Sequence, residues 1–334
     1  MKRERNTTMQ DVAELAGVSK VTVSAILGGR STKLRIAEAT QLRVRKAAED
    51  LSYHPNAIAR SLRQQRTNIL GFYSAFITHN AANDFLGAVI GGLQTACYEY
   101  EQDILLHRTC TGRPANAIFN EMVDGRIDGI FLHASHEDPL TVRLAASSLP
   151  VVGIADYLPG IASVSCDNEA GMTLLVDYLW KRGHRCIAFL STRMKLPSVE
   201  IRANTFQQEM LRRGASPEQS PVLKADMDTE HSFLRILLSL NPTPTALCCW
   251  HDGAAYQILR GCYALGVRVP EDLAIVGFNG FLDRLLPIQN LVSIDAGWSD
   301  VAEAAMKIMI EQISGAEVEQ ETRTPVHLIP GDTA

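Results

Sequence analysis

"AGVSKVTVSAILGG", residues 16–29, decides how the first part of this chain folds. Gly17 can stop a helix, Ser19 can cap the next one, and Val23, Ile26 and Leu27 share one helical face before Gly28 and Gly29 end the run. Upstream, "TTMQDVAELAG" offers Thr8 as a cap with Asp11 three residues on, and Val12 and Leu15 as apolar positions. Two short helices joined by a glycine turn make a helix-turn-helix unit, whose second helix enters the major groove of duplex DNA. A third helix, over about residues 36–51, is expected to place Ala39, Leu42, Val44 and Ala47 against the first two. Arg43, Arg45 and Lys46 then face solvent or phosphate.

Charge supports this reading. Residues 1–66 hold 13 Lys+Arg against 6 Asp+Glu, so the front carries +7 while the whole chain carries −5, leaving −12 on the rest. A basic end on an acidic body meets a polyanion with that end alone. Next comes "YHPNAIARSLRQQRTN", residues 53–68, in which Pro55 halts the third helix and Asn56 can cap another. The run 57–62 is too short to hold as a helix alone, so its order is expected to be conditional.

From about Asn68 the chain alternates strand-like runs ("NILGFYSAF", "DILLHRT", "DGIFLHA", "VVGIA", "SVSCD", "CIAFLS", "PVLKA", "ALCCW", "LAIVGFN", "LVSID") with amphipathic segments. That pattern implies parallel α/β sheets, and too many strands for one small sheet. The 334 residues, 46% of them hydrophobic, suit two or three domains. No run reaches the roughly 20 apolar residues that span a bilayer, and the N-terminus lacks the apolar core of a signal peptide, so a cytoplasmic protein is expected. Cys97, Cys110, Cys166, Cys186, Cys248, Cys249 and Cys262 form no metal-spaced cluster and read as buried thiols. No metal and no cofactor are expected. "GAVIGGLQ" lacks the order of a phosphate-binding loop, and no hydrolase or metalloprotease motif appears, so the chain does not read as an enzyme.

The order "MQDVAELAGVSKVTVSAIL", "YHPNAIARSL", then a strand opening "ILGF", resembles the lactose repressor (LacI/GalR) family of bacterial transcription regulators. The resemblance runs on through "SVSCDNEAGMTLLVDYLWKRGHRCIAFLS", "SVEIRANTFQQEMLRRG" and "GVRVPEDLAIVGFNGF". It implies an all-α helix-turn-helix domain (1–54), a hinge helix and linker (55–67), and a two-lobed periplasmic-binding-protein-like α/β domain (68–334) that binds an effector and dimerises. The lobes are expected to change at about 158–161 and again after about Asp295. In such regulators the hinge helix orders where two copies meet on DNA and a leucine wedges into the minor groove. Leu62 holds that position here, flanked by Asn56, Ala59 and Arg60.

The same resemblance implies reading positions at Lys20 and Val21, with Ala25 one turn later. Ser19, Thr22 and Ser24 would hold phosphates, Gln10 would touch the backbone, and Val21 and Ala25 would pack on thymine methyls. It implies an effector cleft anchored by Arg202, with Asn279, Asp252 and His251 as polar partners and Trp298 as a stacking ring. Ala75, Asn83, Phe85 and Asp156 fall near the cleft by the same mapping. The dominance of polar groups favours a sugar or sugar acid acting as inducer; a purine-type corepressor would ask for more stacking surface. The implied partners are pseudo-palindromic duplex DNA, the effector and a second copy of the chain, without a membrane. An enzyme carrying a DNA-binding module, which would need a nucleotide site, and an exported solute-binding protein are the rival classes.

Overall fold

The computed structural model describes residues 7–28, 36–76, 84–107, 112–225, 230–281 and 289–334. It divides into two compact units, 1–67 and 68–334.

The first unit is helical. In α1 (Met9–Ala16) the Thr8 side chain accepts from the Asp11 amide while the Asp11 carboxylate accepts from the Thr8 amide at 2.7 Å, a capping box. Gly17 ends the helix at φ 63°, a left-handed conformation that glycine adopts without penalty. Ser19 then caps α2 (Lys20–Leu27) by accepting from the Thr22 amide at 3.1 Å. α3 (Glu38–Asp50) and α4 (Ala57–Gln64) follow. Val12, Ala13, Ala16, Val23, Ile26, Val44, Ala47 and Ala48 form the core.

Three expected core positions face outward. Leu15 and Leu42 are 57% and 70% exposed, and Ala39 is exposed as well. The buried stripe of α1 is 12, 13 and 16, and that of α3 is 44, 47 and 48, which leaves those three side chains outside either stripe.

The second unit holds three sheets. Its elements are β1 (Ile69–Ser74), α5 (Asp84–Glu99), β2 (Asp103–Leu106), α6 (Ala115–Met122), β3 (Gly129–His133), α7 (Pro139–Ala145), β4 (Val151–Ile154) and β5 (Ala162–Cys166). Then come α8 (Asn168–Lys181), β6 (Ile187–Ser191), α9 (Pro197–Arg212), β7 (Val222–Lys224), α10 (Glu230–Ser239), β8 (Ala246–Cys249), α11 (Asp252–Leu265) and β9 (Ala274–Val276). The chain closes with β10 (Ser293–Asp295), α12 (Trp298–Ile313), β11 (Glu321–Thr324) and β12 (His327–Ile329).

One parallel sheet runs β11-β5-β4-β3-β1-β2 and a second runs β7-β6-β8-β9, while β10 and β12 pair antiparallel. Strands β3, β4, β6 and β8 are buried along their whole length, which is why they read as largely apolar runs, and β5 is buried as well with two serines in it.

The first lobe change differs from expectation. Leu158 and Ile161 form a tight antiparallel bridge between β4 and β5, both in the first sheet, so the chain leaves that sheet only after β5, at 167. It returns after Asp295, where α12 packs on α5, and crosses again between β11 and β12. Strand β11 carries the polar sequence "ETRT", and β12, "HLI", is only three residues long, so neither formed an apolar run that announced it.

The glycine run in α5 has a packing use. A Cβ on Gly92 would lie 2.8 Å from the Ala302 Cβ, so only glycine lets α12 approach this closely. The two helix starts thereby set Phe85 beside Trp298. Six cysteines, all but Cys110, are buried free thiols, and Cys110 lies outside the described residues.

Candidate functional site

Two constellations emerge, one in each unit. In the helical unit, Ser19, Lys20 and Val21 stand outward at the start of α2, with Val21 74% exposed. Thr22 and Ser24 are half-buried, and the Ser19 and Thr22 hydroxyls lie 2.9 Å apart. Gln10 is exposed, and its amide donates to Glu14 at 2.7 Å.

Ala25 corrects the sequence reading. It is only 5% exposed, because it lies beside Ile26 on the face α2 turns to the core, and so cannot pack on a thymine methyl. In α4, the Asn56 side chain accepts from the Ala59 amide at 3.2 Å as a cap. Asn56, Ala59 and Arg60 are exposed, and Leu62 is 77% exposed. An apolar side chain that open gains nothing in its own unit; it is surface available to a partner.

In the α/β unit, the polar and aromatic groups gather at the C-terminal ends of the strands, where open α/β sheets bind ligands. Arg202, in the second turn of α9, is 4% exposed, so it is no surface arginine. Its Nε donates to Asn168 at 2.7 Å, its Nη1 donates to the Trp250 carbonyl at 2.6 Å, and its guanidinium lies 3.6 Å from the Phe278 ring centre. Burial lowers the pKa of the guanidinium, against the smaller upward pull of the Asp156 and Asp252 carboxyls.

Asp252 is fully buried, with its carboxylate accepting from the Ser293 hydroxyl and from the Phe281 amide. Burial pushes its pKa up to about 7, against the pull of those bonds. Both oxygens are engaged in fastening the 278–281 turn and β10 to the start of α11. Gly277 leaves room for this, since a Cβ there would overlap the carboxylate at 2.1 Å.

Asp156 is 3% exposed and accepts from the Ser198 amide at 2.7 Å, in the first turn of α9. It thus joins the end of β4 in one lobe to a helix of the other. His251 is half-buried, and its pKa is lowered to about 3 by burial and by Arg202, so the imidazole is neutral and brings no positive charge.

Asn279 and Trp298 are placed by the bridge of Asn279 to Asp295 beside β10. Asn279 adopts φ 116°, its amide donates to the Ile294 carbonyl at 2.8 Å, and its side-chain oxygen has no partner. Trp298 is 6% exposed and its indole N–H is likewise without a partner. Its ring meets Phe85 edge-on at 4.7 Å.

Sequence reasoning missed the continuation of that ring cluster. His133 lies 4.8 Å from Phe85 and 5.0 Å from Phe76, and its Nδ1 is 2.9 Å from the Ser74 hydroxyl. Burial lowers its pKa to about 4, so it too is neutral. Asn168, Ser198, Trp250, Phe278 and Ser293 were also missed. Only Trp250, adjoining the "HDG" run, offered a local signal. Ala75 is half-buried, with its amide bonded to the His133 carbonyl at 2.8 Å, and Asn83 lies outside the described residues.

The sequence profile of "Bacterial regulatory proteins, lacI family" matches residues 8–56, and that of a periplasmic binding protein-like domain matches 176–334. Residues 8–56 thus match the lacI family, and 176–334 match a periplasmic binding protein-like domain. The chain is a DNA-binding transcription regulator. It is 29% identical to the HTH-type transcriptional repressor PurR of Vibrio vulnificus (strain CMCP6) over 318 residues, 93% of each chain. It is 28% identical to the protein of the same name from Vibrio cholerae serotype O1 (strain M66-2) over 324 residues, covering 94% of this chain and 93% of the relative.

Among solved structures, the lac repressor dimer bound to operator and the anti-inducer ONPF superposes with TM-score 0.83 at 20% identity, over 98% of this chain and 99% of that one. A CelR–cellobiose complex gives 0.72 at 23%, over 98% and 100%. These two likenesses fix the fold. Among the described residues, no helix is long and apolar enough to cross a membrane.

Proposed function

We propose that the chain is a transcription repressor that binds pseudo-palindromic operator DNA as a dimer and whose operator affinity is set by a small molecule in the cleft of the 68–334 unit. The division of labour is helix-turn-helix over 1–54, hinge over 55–67, and effector binding and dimerisation over 68–334. The relatives named as repressors support the sign of regulation. The place of action is the cytoplasm, where the DNA is.

The observation that carries the DNA-binding half is the pair of apolar side chains left outside a packed helical core, Val21 at 74% and Leu62 at 77% exposure. Val21 meets base methyls in the major groove beside Lys20, and Leu62 wedges at a central base step. Ser19, Thr22, Ser24 and Asn56 contact phosphates, and Gln10 does so after releasing Glu14. Ala25 serves by being small, not by touching a base. A binding selection from a random duplex library tests this. Lys20→Ala should relax half-site preference, and unchanged preference would overturn the assignment.

Ligand in the cleft changes the arrangement of the first lobes in the dimer and thereby the pairing of the hinge helices, with reciprocal coupling between ligand and DNA affinity. The polar groups Arg202 and Asn279, with His251 at the rim, support a sugar-type inducer. The ring cluster of Phe76, His133, Phe85 and Trp298 supports a second reading, a purine-type corepressor, because it supplies the stacking surface such a ligand needs. Thermal shift with sugars and nucleobases, repeated with the selected operator duplex, separates the two by whether the ligand weakens or strengthens DNA binding.

A further inference from the structure

A concavity between α1 and the start of α2 is lined by Gln10, Glu14, Gly17, Val18, Ser19 and Lys20. Residues 10, 14 and 17 follow one another at helical spacing, on a face of α1 distinct from its core stripe of 12, 13 and 16. Gln10 and Glu14 therefore stand on the same surface as Ser19 and Lys20, the groups assigned to DNA, and all four are exposed. Among the described residues that line this concavity, Glu14 is the one acid and Lys20 the one cation.

The setting favours an anion. Residues 1–66 carry +7, and the first amides of α2, at Lys20 and Val21, have no carbonyl one turn earlier in the helix to bond, so they form the positive end of its dipole. Duplex DNA would bring a phosphate to such a place. In the chain by itself the anion already there is the Glu14 carboxylate. Among the described residues it has no ion-pair partner, and it accepts instead from the Gln10 side-chain amide at 2.7 Å. That charge-assisted bond engages the donor that Gln10 would turn to the DNA backbone. A phosphate arriving beside α1 has to break this bond and meets a like charge as well.

We infer that Glu14 is an autoinhibitory residue of the DNA-binding face. Its carboxylate stands in for a backbone phosphate, occupies Gln10 and lowers affinity for every duplex whatever its sequence. This rests on the reading that the start of α2 meets DNA. It goes beyond that reading, because the other residues assigned to this face attract the duplex or pack on it, whereas Glu14 opposes it. With phosphate attraction held down, the base contacts of Lys20 and Val21 carry a larger share of binding.

The test titrates the full chain by fluorescence anisotropy against two labelled duplexes of equal length, an operator selected from a random library and a scrambled sequence. Glu14→Gln removes the charge and keeps the side-chain length. The variant should behave as though it had gained one phosphate contact. Both duplexes should then bind about tenfold tighter at roughly 50 mM salt and about fourfold tighter at roughly 200 mM, the slope of log affinity against log salt steepening by about 0.9. The melting temperature should not move. In a Gln10→Ala background the gain from Glu14→Gln should be smaller, since no Gln10 bond then has to be broken.

Unchanged or weaker binding overturns the inference. So does a gain confined to the operator, which would make Glu14 a base-reading residue, and so does a gain at unchanged salt slope. An equal gain in the Gln10→Ala background overturns the part played through Gln10. Lys20→Ala, titrated alongside, separates the two readings. If it leaves the affinity for both duplexes unchanged, the start of α2 is not a DNA-binding face and the inference falls with it. If it weakens binding while Glu14→Gln brings no gain, the inference alone falls.

Discussion

The two functional regions of this protein are opposite solutions to the same need. In the helical unit, the side chains assigned to DNA stand in solvent. Lys20, Val21 and Leu62 have almost no duties inside their own unit, and the fold rests on Val12, Val23, Ile26 and Val44 instead. In the cleft, the side chains that sequence points to are buried and already committed to one another. Arg202, Asp252 and Asp156 hold the lobes and turns in place, while the Asn279 side-chain oxygen and the Trp298 indole N–H are buried there without partners. An exposed interface can therefore change its specificity without cost to folding, whereas a buried one can change only by rebuilding the network that supports it.

That contrast breaks first at Arg202. Replacing it by leucine leaves Asn168 and the Trp250 carbonyl without donors and the nearby carboxylates without a counter-charge. Arg202→Leu should therefore cost about 3–5 kcal/mol in urea unfolding of the full chain, along with ligand response. Loss of ligand response at unchanged stability would mean that the cleft groups are as independent as the DNA-facing ones.

Leu62→Ala should weaken every selected operator, by about 2 kcal/mol or some thirtyfold in a mobility-shift titration, with the melting temperature unmoved. A fall in melting temperature instead would show that Leu62 serves its own unit.

Within α2, Ala25→Arg should destabilise the helical unit by about 1–3 kcal/mol, because a buried position 5% exposed has no room for the longer side chain. Val21→Arg, at 74% exposure, should stay within about 0.5 kcal/mol. Thermal melts of the two variants sharpen the line between reading face and core.

The smallest effect is on pH. His133 and His251 have folded pKa values near 4 and 3, below the 6.5 of free histidine, so the unfolded chain binds more protons and stability falls as pH drops below 6.5. Asp252, raised to about 7, acts in the other direction, its stabilising protonation being lost as pH rises from about 4 to 7. Two histidines outweigh one aspartate by one proton. From pH 6.5 to 5 stability should therefore fall, with a slope that steepens toward about 1.4 kcal/mol per pH unit near pH 5, and His133→Asn should flatten that slope.

How far each region could be read from the sequence follows from the same contrast. Capping at Thr8 and Ser19 and the stop at Gly17 are local matters of three or four residues, and the residue pattern shows them, whereas Val21 and Leu62 were named through the family resemblance. Ala25 was misread because its face of α2 is set by a third helix that the local pattern does not contain. In the α/β unit the apolar strands were legible, while β11 and β12, held by neighbours and not by their own hydrophobicity, were not. Arg202 could be named from its place after "IAFLS". That its donors are taken by Asn168 and Trp250, 34 and 48 residues distant in the chain, could not. The ring wall was invisible for the same reason, since Phe76, Phe85, His133 and Trp298 come from four separate segments.

The bond from the Ser198 amide to Asp156 has a kinetic consequence. Together with the pair of Lys195 and Glu137 it spans the two lobes using atoms of the chain alone. Under the proposed effector role, opening the lobes around a ligand means breaking both, so the time it stays, more than the speed at which it arrives, should carry their imprint. The ion pair stands in solvent and is screened by salt, while the Asp156 bond is buried and screened far less. Residence should therefore shorten modestly as salt rises and then level off, the plateau marking the latch that water does not reach.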